Sequence, residues 1–357
     1  MNPYQQSPQI YGQPQPQMYA QPIPSPQVYA PQQFAIAYSQ PLPQHVQKPV
    51  DQVKVDAEWA TLRKSMKGLG TDENAIIQLI SNRTNKERLA MIESYKKQFN
   101  RDLIKDLKSE LHAHFEIAVL ALFEDPITYD CISLKTAMKG AGTDEDTLIE
   151  ILATRSNKDI TLIKQKYLQM YGKPLEQDLS SDLSGDLKTV MLTLASAFRW
   201  ENPNPNQTEC QKKADQLFKA GEKRLGTDEK VFYDILTQSS PQELRAIDVI
   251  YMHAHNHGLL TAIDKEFHHS NMKKLLQTIV YSSTNPSEYF ATRVNYAVKG
   301  AGTKDPLLIR ILVTRDEIDM PQIKEAYKRL YNKDMVKAIE SDTHGDYKKL
   351  LIEICNH

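Results

Sequence analysis

Four short glycine-containing segments place backbone carbonyls near acidic residues, and both groups can bind a hard metal cation. They read MKGLGTDE from residue 66, MKGAGTDE from 138, EKRLGTDE from 222 and VKGAGTKD from 298. In every copy the residue 39 positions after the threonine is acidic: Glu110, Asp182, Glu266 and Asp342. Glycine lets the backbone approach an ion closely, and calcium takes about six to eight oxygen ligands. The pattern predicts four weak calcium sites, each completed by water or an outside phosphate oxygen.

The same segments can also be read as simple turns between helices. Gly-x-Gly can end one helix, and the threonine can serve as the N-cap of the next helix. In the first copy this interpretation makes Thr71 the N-cap, followed by Asp72 and Glu73 in the first helical turn. The recurrence of an acid at a fixed distance favours the metal site over the turn alone.

The four segments mark four repeats of helical sequence. Apolar residues recur at helical spacing on both sides of the first turn, and no strand pattern competes. The prediction is an all-α fold of four similar repeats, with about five helices each, packed into one curved body. The expected boundaries are a tail over 1–50 and repeats over 51–126, 127–199, 200–283 and 284–357. The Pro- and Asn-rich stretch at 199–210 predicts a hinge or spacer between a first pair of repeats and a second pair.

Composition excludes several classes of protein. A formal net charge of −1 gives no overall attraction to nucleic acid. Cys131, Cys210 and Cys355 are odd in number and widely spaced, which favours reduced thiols in the cytoplasm. No signal peptide, membrane-spanning run or enzyme motif is visible, so we expect a non-enzymatic cytoplasmic protein that would meet a membrane only peripherally.

The first fifty residues have a different composition from the rest of the chain. Pro, Gln and Tyr dominate, no acid occurs before Val50, and Lys48 is the only cation there. Such a segment cannot bury a core and is predicted to be disordered. Its tyrosines could contact a protein partner, or the segment could be a solvated spacer; both interpretations stay open.

The repeated GxGT segment with its distant acid resembles the annexin family, and the resemblance covers roughly residues 53–357. The stretches DLKSEL, ATRSNKD and VTRDEID are also similar to annexin repeats. The resemblance implies a curved disc whose convex face carries calcium sites that bridge to acidic phospholipid head groups. It also implies membrane-associated roles such as trafficking, repair or cortical attachment. The alternative is a helical protein-binding or cytoskeletal scaffold that works through the tail and the concave face.

The resemblance also assigns ligands, namely three carbonyl oxygens and one carboxylate per site. They are Met66, Gly68, Gly70 and Glu110 in the first site; Met138, Gly140, Gly142 and Asp182 in the second; Gly221, Arg224, Gly226 and Glu266 in the third; and Val298, Gly300, Gly302 and Asp342 in the fourth. The residues expected to contact lipid are Lys67, Leu69, Lys139, Lys223, Leu225 and Lys299. Arg224 stands where a glycine is expected and lacks the conformational freedom of glycine.

Two further groups of residues could carry chemistry. The segment HAHNH, His253–His257, could hold a transition metal, but a polar loop between the third and fourth helices of repeat three is the favoured interpretation. Arg83, Arg155 and Arg315 are expected to end the second helices of repeats one, two and four, and Asp130 could pair with Arg155 or Arg315. The resemblance associates such charges with a hydrophilic axis, linked in some annexins to ion passage; we favour a role in assembly.

Overall fold

The computed structural model describes residues 59–66, 70–140, 142–268, 270–300 and 302–357. These residues form 20 helices and no strand, which confirms the all-α prediction. The predicted tail over 1–50 lies outside the described residues.

The helices fall into four groups of five. The first group contains α1 (Trp59–Ser65), α2 (Glu73–Ser81), α3 (Asn85–Phe99), α4 (Leu103–Glu110) and α5 (Ala113–Leu122). The second contains α6 (Pro126–Ala137), α7 (Glu145–Thr154), α8 (Asn157–Tyr171), α9 (Leu175–Asp182) and α10 (Gly185–Ala195).

The other two groups repeat this order. The third contains α11 (Gln207–Ala220), α12 (Glu229–Gln238), α13 (Pro241–His255), α14 (Leu259–Glu266) and α15 (Asn271–Thr284). The fourth contains α16 (Pro286–Val298), α17 (Asp305–Arg315), α18 (Met320–Tyr331), α19 (Met335–Asp342) and α20 (Gly345–Asn356).

Local sequence fixes the end of the third helix in each repeat and its start in the first three repeats. Capping boxes begin α3, α8 and α13, where the side chains of Thr84, Ser156 and Ser240 accept a hydrogen bond from the N3 amide and the N3 acid accepts one in return. The same helices and α18 end at a residue in the left-handed conformation, which is Asn100, Gly172, Asn256 or Asn332. The left-handed residues turn the chain sharply between the third and fourth helices.

The repeats bury their apolar residues in two separate cores. One core joins repeats 1 and 4 and contains Leu62, Tyr95, Leu312 and Leu351 among its members. The other joins repeats 2 and 3 and contains residues such as Tyr167 and Tyr251. Of the two predictions for the stretch at 199–210, the hinge between separate pairs of repeats is wrong, because the stretch connects two repeats that share one core, and the spacer remains.

Buried charges connect the two cores. Glu150 on α7 is 1% exposed and accepts a hydrogen bond from Arg310 on α17 at 2.8 Å, with Arg293 on α16 at 3.3 Å. Burial opposes the ionisation of Glu150, but Arg310 and Arg293 outweigh it, and the pKa of Glu150 is lowered. Repeats 2 and 4 are thus joined by an ion pair rather than by apolar packing alone.

The predicted pairing of Asp130 is settled in favour of Arg155. Both carboxylate oxygens of Asp130 accept hydrogen bonds from Arg155, at 2.6 and 2.8 Å. Arg315 instead pairs with Asp319 at 2.7 Å. The three cysteines are buried and free, as their spacing predicted.

Replacing Glu150 by Gln should destabilise the fold. The substitution leaves two buried guanidinium groups without a full counter-charge, which costs about 3–5 kcal/mol. Urea unfolding at neutral pH should show the loss, while Lys230→Ala, which removes an exposed ion pair with Asp234, should cost less than about 1 kcal/mol.

The same pair predicts a pH dependence. Because folding lowers the pKa of Glu150, its contribution is present above its unfolded value of 4.5 and is lost as the pH falls through the folded pKa. The Gln variant should lack this part of the acid sensitivity. Equal stability of Glu150→Gln and the parent protein would contradict the role of the pair.

Candidate metal centres

A backbone hydrogen bond closes each of the four glycine-containing loops between the first and second helix of a repeat. The amide that follows the threonine donates to a carbonyl at the end of the preceding helix. The pairs are Asp72 to Ser65, Asp144 to Ala137 and Lys304 to Ala297, all at 2.9 Å, and Asp228 to Ala220 at 2.7 Å. The loops therefore begin and end at equivalent points in all repeats.

The third loop contains one more residue than the others between these points. Seven positions separate Ala137 from Asp144, whereas eight separate Ala220 from Asp228. Gly221 is consequently the counterpart of Met138, and Gly226 is the counterpart of Gly142. This register supports the assignment of Gly221, Arg224 and Gly226 as the third set of carbonyls.

The loop glycines adopt conformations that other residues rarely adopt. Gly140 and Gly300 have φ values of +107° and +121°, and Gly70, Gly142, Gly226 and Gly302 also have positive φ. Arg224 does not have a positive φ. The extra residue thus removes the need for a glycine at this position, and the expected penalty for Arg224 does not arise.

Each threonine hydroxyl donates a hydrogen bond to the distant acid predicted from the sequence. The distances are 3.0 Å from Thr71 to Glu110, 2.6 Å from Thr143 to Asp182, 2.5 Å from Thr227 to Glu266 and 2.6 Å from Thr303 to Asp342. The structure thus brings every loop together with its acid, which lies at the end of the fourth helix.

The prediction that threonine caps the second helix is wrong. The N-cap is the next residue, and Asp72 and Asp144 accept hydrogen bonds from the amides of Ala75 and Thr147. The threonine is one residue too early to cap the helix, and its hydroxyl is directed at the acid instead. The spacing of 39 residues was the only sequence signal for this contact.

The four acids are half-buried and lack a cationic partner in the described part of the chain. No lysine, arginine or histidine described by the structure lies within 4 Å of Glu110, Asp182, Glu266 or Asp342. A hydroxyl partner satisfies one lone pair but leaves the negative charge uncompensated. This donor set, a carboxylate beside exposed glycine backbone, fits a hard cation such as calcium.

Most of the remaining predicted carbonyl ligands lie on the described loops. Met66, Met138 and Val298 are half-buried at the start of their loops, and the described glycines of the first, second and fourth loops are exposed. Gly221 is buried against Glu266, because a Cβ atom at Gly221 would lie 2.8 Å from the carboxyl carbon. Gly68, together with Lys67 and Leu69, lies outside the described residues.

The first and fourth sites share one surface depression. Glu110 and Asp342 both line it, together with His112, His114 and His344, and its volume is about 420 Å³. His114 lies 3.5 Å from Asp305. The loops of repeats 1 and 4 therefore open on the same side of their shared core.

The residues predicted to contact lipid are exposed wherever the structure describes them. Lys139, Lys223 and Lys299 are exposed and form no ion pair with the described residues. Leu225 at the tip of the third loop is completely exposed, at 102% of its reference area. An exposed leucine beside lysines provides both an apolar and a cationic contact surface.

The third loop is held by a network that has no counterpart among the described residues of the other loops. The Glu222 carboxylate accepts hydrogen bonds from Tyr251 at 2.7 Å, from His257 at 2.8 Å and from Lys265 at 2.8 Å. Burial opposes the ionisation of Glu222, but these three partners outweigh it and lower its pKa to about 2. The extra residue is thereby fixed to α13 and α14.

The corresponding tyrosine has a different partner in the first two repeats. Tyr95 and Tyr167 donate to Asp106 and Asp178 at 2.7 Å, four residues before the site acid. Repeat 3 has Ala262 at that position. Tyr251 is therefore available to hold the loop, a role that no sequence pattern predicts because it depends on a missing acid.

The last histidine of the HAHNH segment, His257, takes part in this network. His253 and His255 belong to the last turn of α13, so the prediction of a loop is wrong for them, whereas His257 lies in the short connection to α14. His255 stacks on Phe218 with ring centroids 3.8 Å apart. No cluster of three His, Cys, Asp or Glu side chains suited to a metal occurs among the described residues.

Comparisons with known proteins agree with this arrangement of repeats. The annexin family model matches residues 55–122, 129–194, 212–279 and 289–354. The chain is 44% identical to annexin A7 of Homo sapiens over 299 residues, which are 84% of this chain and 61% of that protein. The chain thus spans about three-fifths of the length of that relative.

Solved structures show the same fold. The structure of chicken annexin V superposes with a TM-score of 0.81 and 36% sequence identity, covering 89% of this chain and 100% of that one. A calcium-bound annexin (Sm)1 superposes with a TM-score of 0.78 and 29% identity, covering 88% of this chain and 93% of that one.

Replacing Glu222 by Gln should loosen the third loop alone. The amide cannot form the ion pair with Lys265, and losing a hydrogen bond to a charged group costs about 1.5–3 kcal/mol. Amide hydrogen exchange over residues 221–228 should become at least about tenfold faster. Glu145→Gln beside the second loop is the matched control and should leave exchange unchanged; equal exchange in the Glu222 variant and the parent would contradict the role of the network.

Proposed function

Because the chain belongs to the annexin family, which is known for calcium-dependent phospholipid binding, we propose that its four loops bind calcium and thereby attach the protein to acidic phospholipid membranes. The support comes from one repeated observation: an acid without a cationic partner among the described residues meets each glycine-containing loop. Four occurrences of the same charged arrangement are hard to explain as turn chemistry alone.

Each proposed site consists of backbone and side-chain oxygens from two segments. The carbonyls would come from Met66, Gly68 and Gly70; from Met138, Gly140 and Gly142; from Gly221, Arg224 and Gly226; and from Val298, Gly300 and Gly302. The carboxylates would come from Glu110, Asp182, Glu266 and Asp342. Calcium, when bound, supplies a positive charge with open coordination positions that phosphate oxygens can fill.

The threonine hydroxyl has a positioning role in this proposal. Its hydrogen bond fixes one carboxylate oxygen, so that the side chain does not have to be ordered when the ion binds. The second oxygen remains free to face the loop. Such pre-organisation partly offsets the small number of charged ligands in each site.

The surroundings of the loops would supply direct lipid contacts. Lys139, Lys223 and Lys299 would meet lipid phosphates, and Leu225 would enter the interface between head groups and acyl chains. Lys67 and Leu69 would do the same in the first loop. Each lysine alone contributes little to the binding free energy, but together they favour binding to an anionic surface.

Attachment would be peripheral and dependent on several loops at once. No helix in the described ranges is long and apolar enough to cross a membrane. After one loop docks, the others experience a high local lipid concentration, and calcium and lipid raise each other's affinity by the same factor. The proposal places the protein in the cytoplasm and at its membranes when calcium is present.

Combining Glu110→Gln with Asp182→Asn should weaken membrane binding. Both substitutions keep the size of the side chain but remove the charge that attracts calcium. Co-sedimentation with vesicles of phosphatidylserine and phosphatidylcholine should need roughly tenfold more calcium for half-maximal binding, because two of the linked sites are lost.

Two exposed acids away from the loop contacts provide the matched control. Glu325→Gln with Glu201→Gln removes the same charge and should leave the calcium midpoint unchanged. A double variant of Glu110 and Asp182 that sediments like the parent at every calcium concentration would refute the site assignment.

Replacing Leu225 by Ala should lower vesicle affinity without changing the charge of the loop. Partial burial of the leucine side chain in the interface favours binding by about 0.8 kcal/mol per CH₂, so its truncation should weaken affinity about three- to tenfold. Vesicle titration at saturating calcium measures this effect. Leu168→Ala on α8, where the side chain is 49% exposed, is the control; an equal effect of both substitutions would speak against insertion of the third loop.

A further inference from the structure

The four candidate sites differ in how firmly the loop and its acid are joined in the absence of an ion. Every repeat has the hydrogen bond from the loop threonine to the acid at the end of the fourth helix. Repeat 3 adds contacts from Glu222, from Lys265 and from the backbone of Gly221. These contacts determine how much of the third site remains to be ordered when calcium binds.

The residue that precedes the acid has a different partner in repeat 3. It is a serine in the other repeats, and Ser109, Ser181 and Ser341 each donate a hydrogen bond to a carbonyl of their own helix at 2.8 Å. In repeat 3 it is Lys265, whose ammonium group lies 2.8 Å from the Glu222 carboxylate in the loop. Within the described ranges, only repeat 3 uses this position to join the fourth helix to the loop.

The acid of repeat 3 also lies directly against the loop backbone. A Cβ atom at Gly221 would lie 2.8 Å from the carboxyl carbon of Glu266 and 3.2 Å from its Oε1 atom, so even alanine would displace the acid. The equivalent positions hold Met66, Met138 and Val298, which all have a side chain. Gly221 therefore allows the residue of the first proposed carbonyl ligand to contact the carboxylate.

The backbone of the third loop is hydrogen-bonded as well. The Lys223 amide donates to the Phe218 carbonyl at 3.0 Å, and the Arg224 amide donates to the Gly221 carbonyl at 2.9 Å. A carbonyl oxygen has two lone pairs, so Gly221 keeps one for an ion. This turn inside the loop fixes the direction of the carbonyl before an ion binds.

The cations near the third site have anionic partners of their own. Lys265 pairs with Glu222, and the Arg224 guanidinium lies 3.6 Å from the Asp228 carboxylate. An opposite charge at this distance offsets much of the field of each cation at the site. Repulsion by Lys265 and Arg224 therefore does not cancel the benefit of an ordered loop.

Ordering a loop during binding opposes the binding. Each side chain that becomes immobilised weakens the affinity by about two- to tenfold. Glu222 is already held by three hydrogen bonds, whereas Lys139, at the equivalent position of repeat 2, is exposed. The third site should lose less conformational entropy on binding than the second site.

We propose that Glu222 is a positioning residue for the third site, and that this site is the first of the four to bind calcium. Glu222 is not a ligand itself. It holds the loop carbonyls beside Glu266 through its ion pair with Lys265. This inference rests on the proposed calcium sites and adds an order of filling to them.

The order of filling has a consequence for membrane docking. Leu225 lies at the tip of the third loop and is completely exposed. The loop that first gains calcium is thus also the loop that presents an apolar side chain to the interface. Docking begins at repeat 3, and the remaining loops follow at the raised local concentration of lipid.

Site-resolved NMR of the full chain without lipid tests the proposal. Isotopic labelling of threonine amides gives a signal from each loop, at Thr71, Thr143, Thr227 and Thr303, and single Thr→Ser substitutions assign them. The Thr227 signal should reach its half-maximal calcium shift at a concentration at least about fivefold below that of Thr143, because less of the third loop remains to be ordered.

Replacing Lys265 by Met separates positioning from simple electrostatics. The substitution removes a positive charge beside the site, so electrostatics alone would lower the calcium midpoint of Thr227. Loss of positioning should instead raise that midpoint at least about fivefold, with the Thr143 midpoint unchanged. In the absence of calcium, the heteronuclear NOE of the Thr227 amide should also fall. Lys265→Arg keeps the ion pair and should retain the parent values.

Three outcomes would count against the proposal. A Thr227 midpoint equal to or above that of Thr143 in the parent protein would overturn the order of filling and leave the calcium sites standing. An unchanged or lower Thr227 midpoint in Lys265→Met would overturn the positioning role of Glu222. The absence of a calcium shift at all four threonines would refute the proposed function itself, and the order of filling with it.

Discussion

The hydrogen bond from each loop threonine to the acid at the end of the fourth helix is the contact on which the candidate sites depend. It joins segments that are 39 residues apart, at 2.5–3.0 Å, in all four repeats. Neither segment alone offers enough oxygen atoms for a hard cation. The second, third and fourth helices of each repeat must therefore pack correctly before a site exists, which couples the site to the fold of the repeat.

The spacing between the candidate sites depends on how the four repeats pack together. Two apolar cores hold the repeats in pairs, and Glu150 with Arg293 and Arg310 connects the pairs. A buried ion pair is geometrically specific, because misalignment leaves charges unsatisfied in a medium of low polarity. Weak sites can act together on a flat surface only when their spacing is fixed in this way.

Much of this structure could be predicted from the sequence, and the failures have a common cause. Helical periodicity, the repeat and the fixed spacing between each loop and its distant acid are local or periodic signals, so they can be read from the chain. The partners of Tyr251 and the pairing of repeat 1 with repeat 4 depend on contacts between distant segments, for which one sequence gives no register. The different role of Arg224 follows from a single extra residue, which only the closing hydrogen bond at Ala220 reveals.

The shared core of repeats 1 and 4 has a consequence for the order in which the molecule can be completed. Leu62 and Cys355 belong to the same core although they lie near opposite ends of the described chain. During synthesis from the N-terminus, repeats 2 and 3 can close their core while repeat 1 still exposes the surface that repeat 4 will cover. Contacts this distant in sequence form late and carry a large entropic cost of loop closure. Repeat 1 is thus synthesised before repeats 2 and 3 but is buried after them, and repeat 4 completes the core that repeat 1 begins.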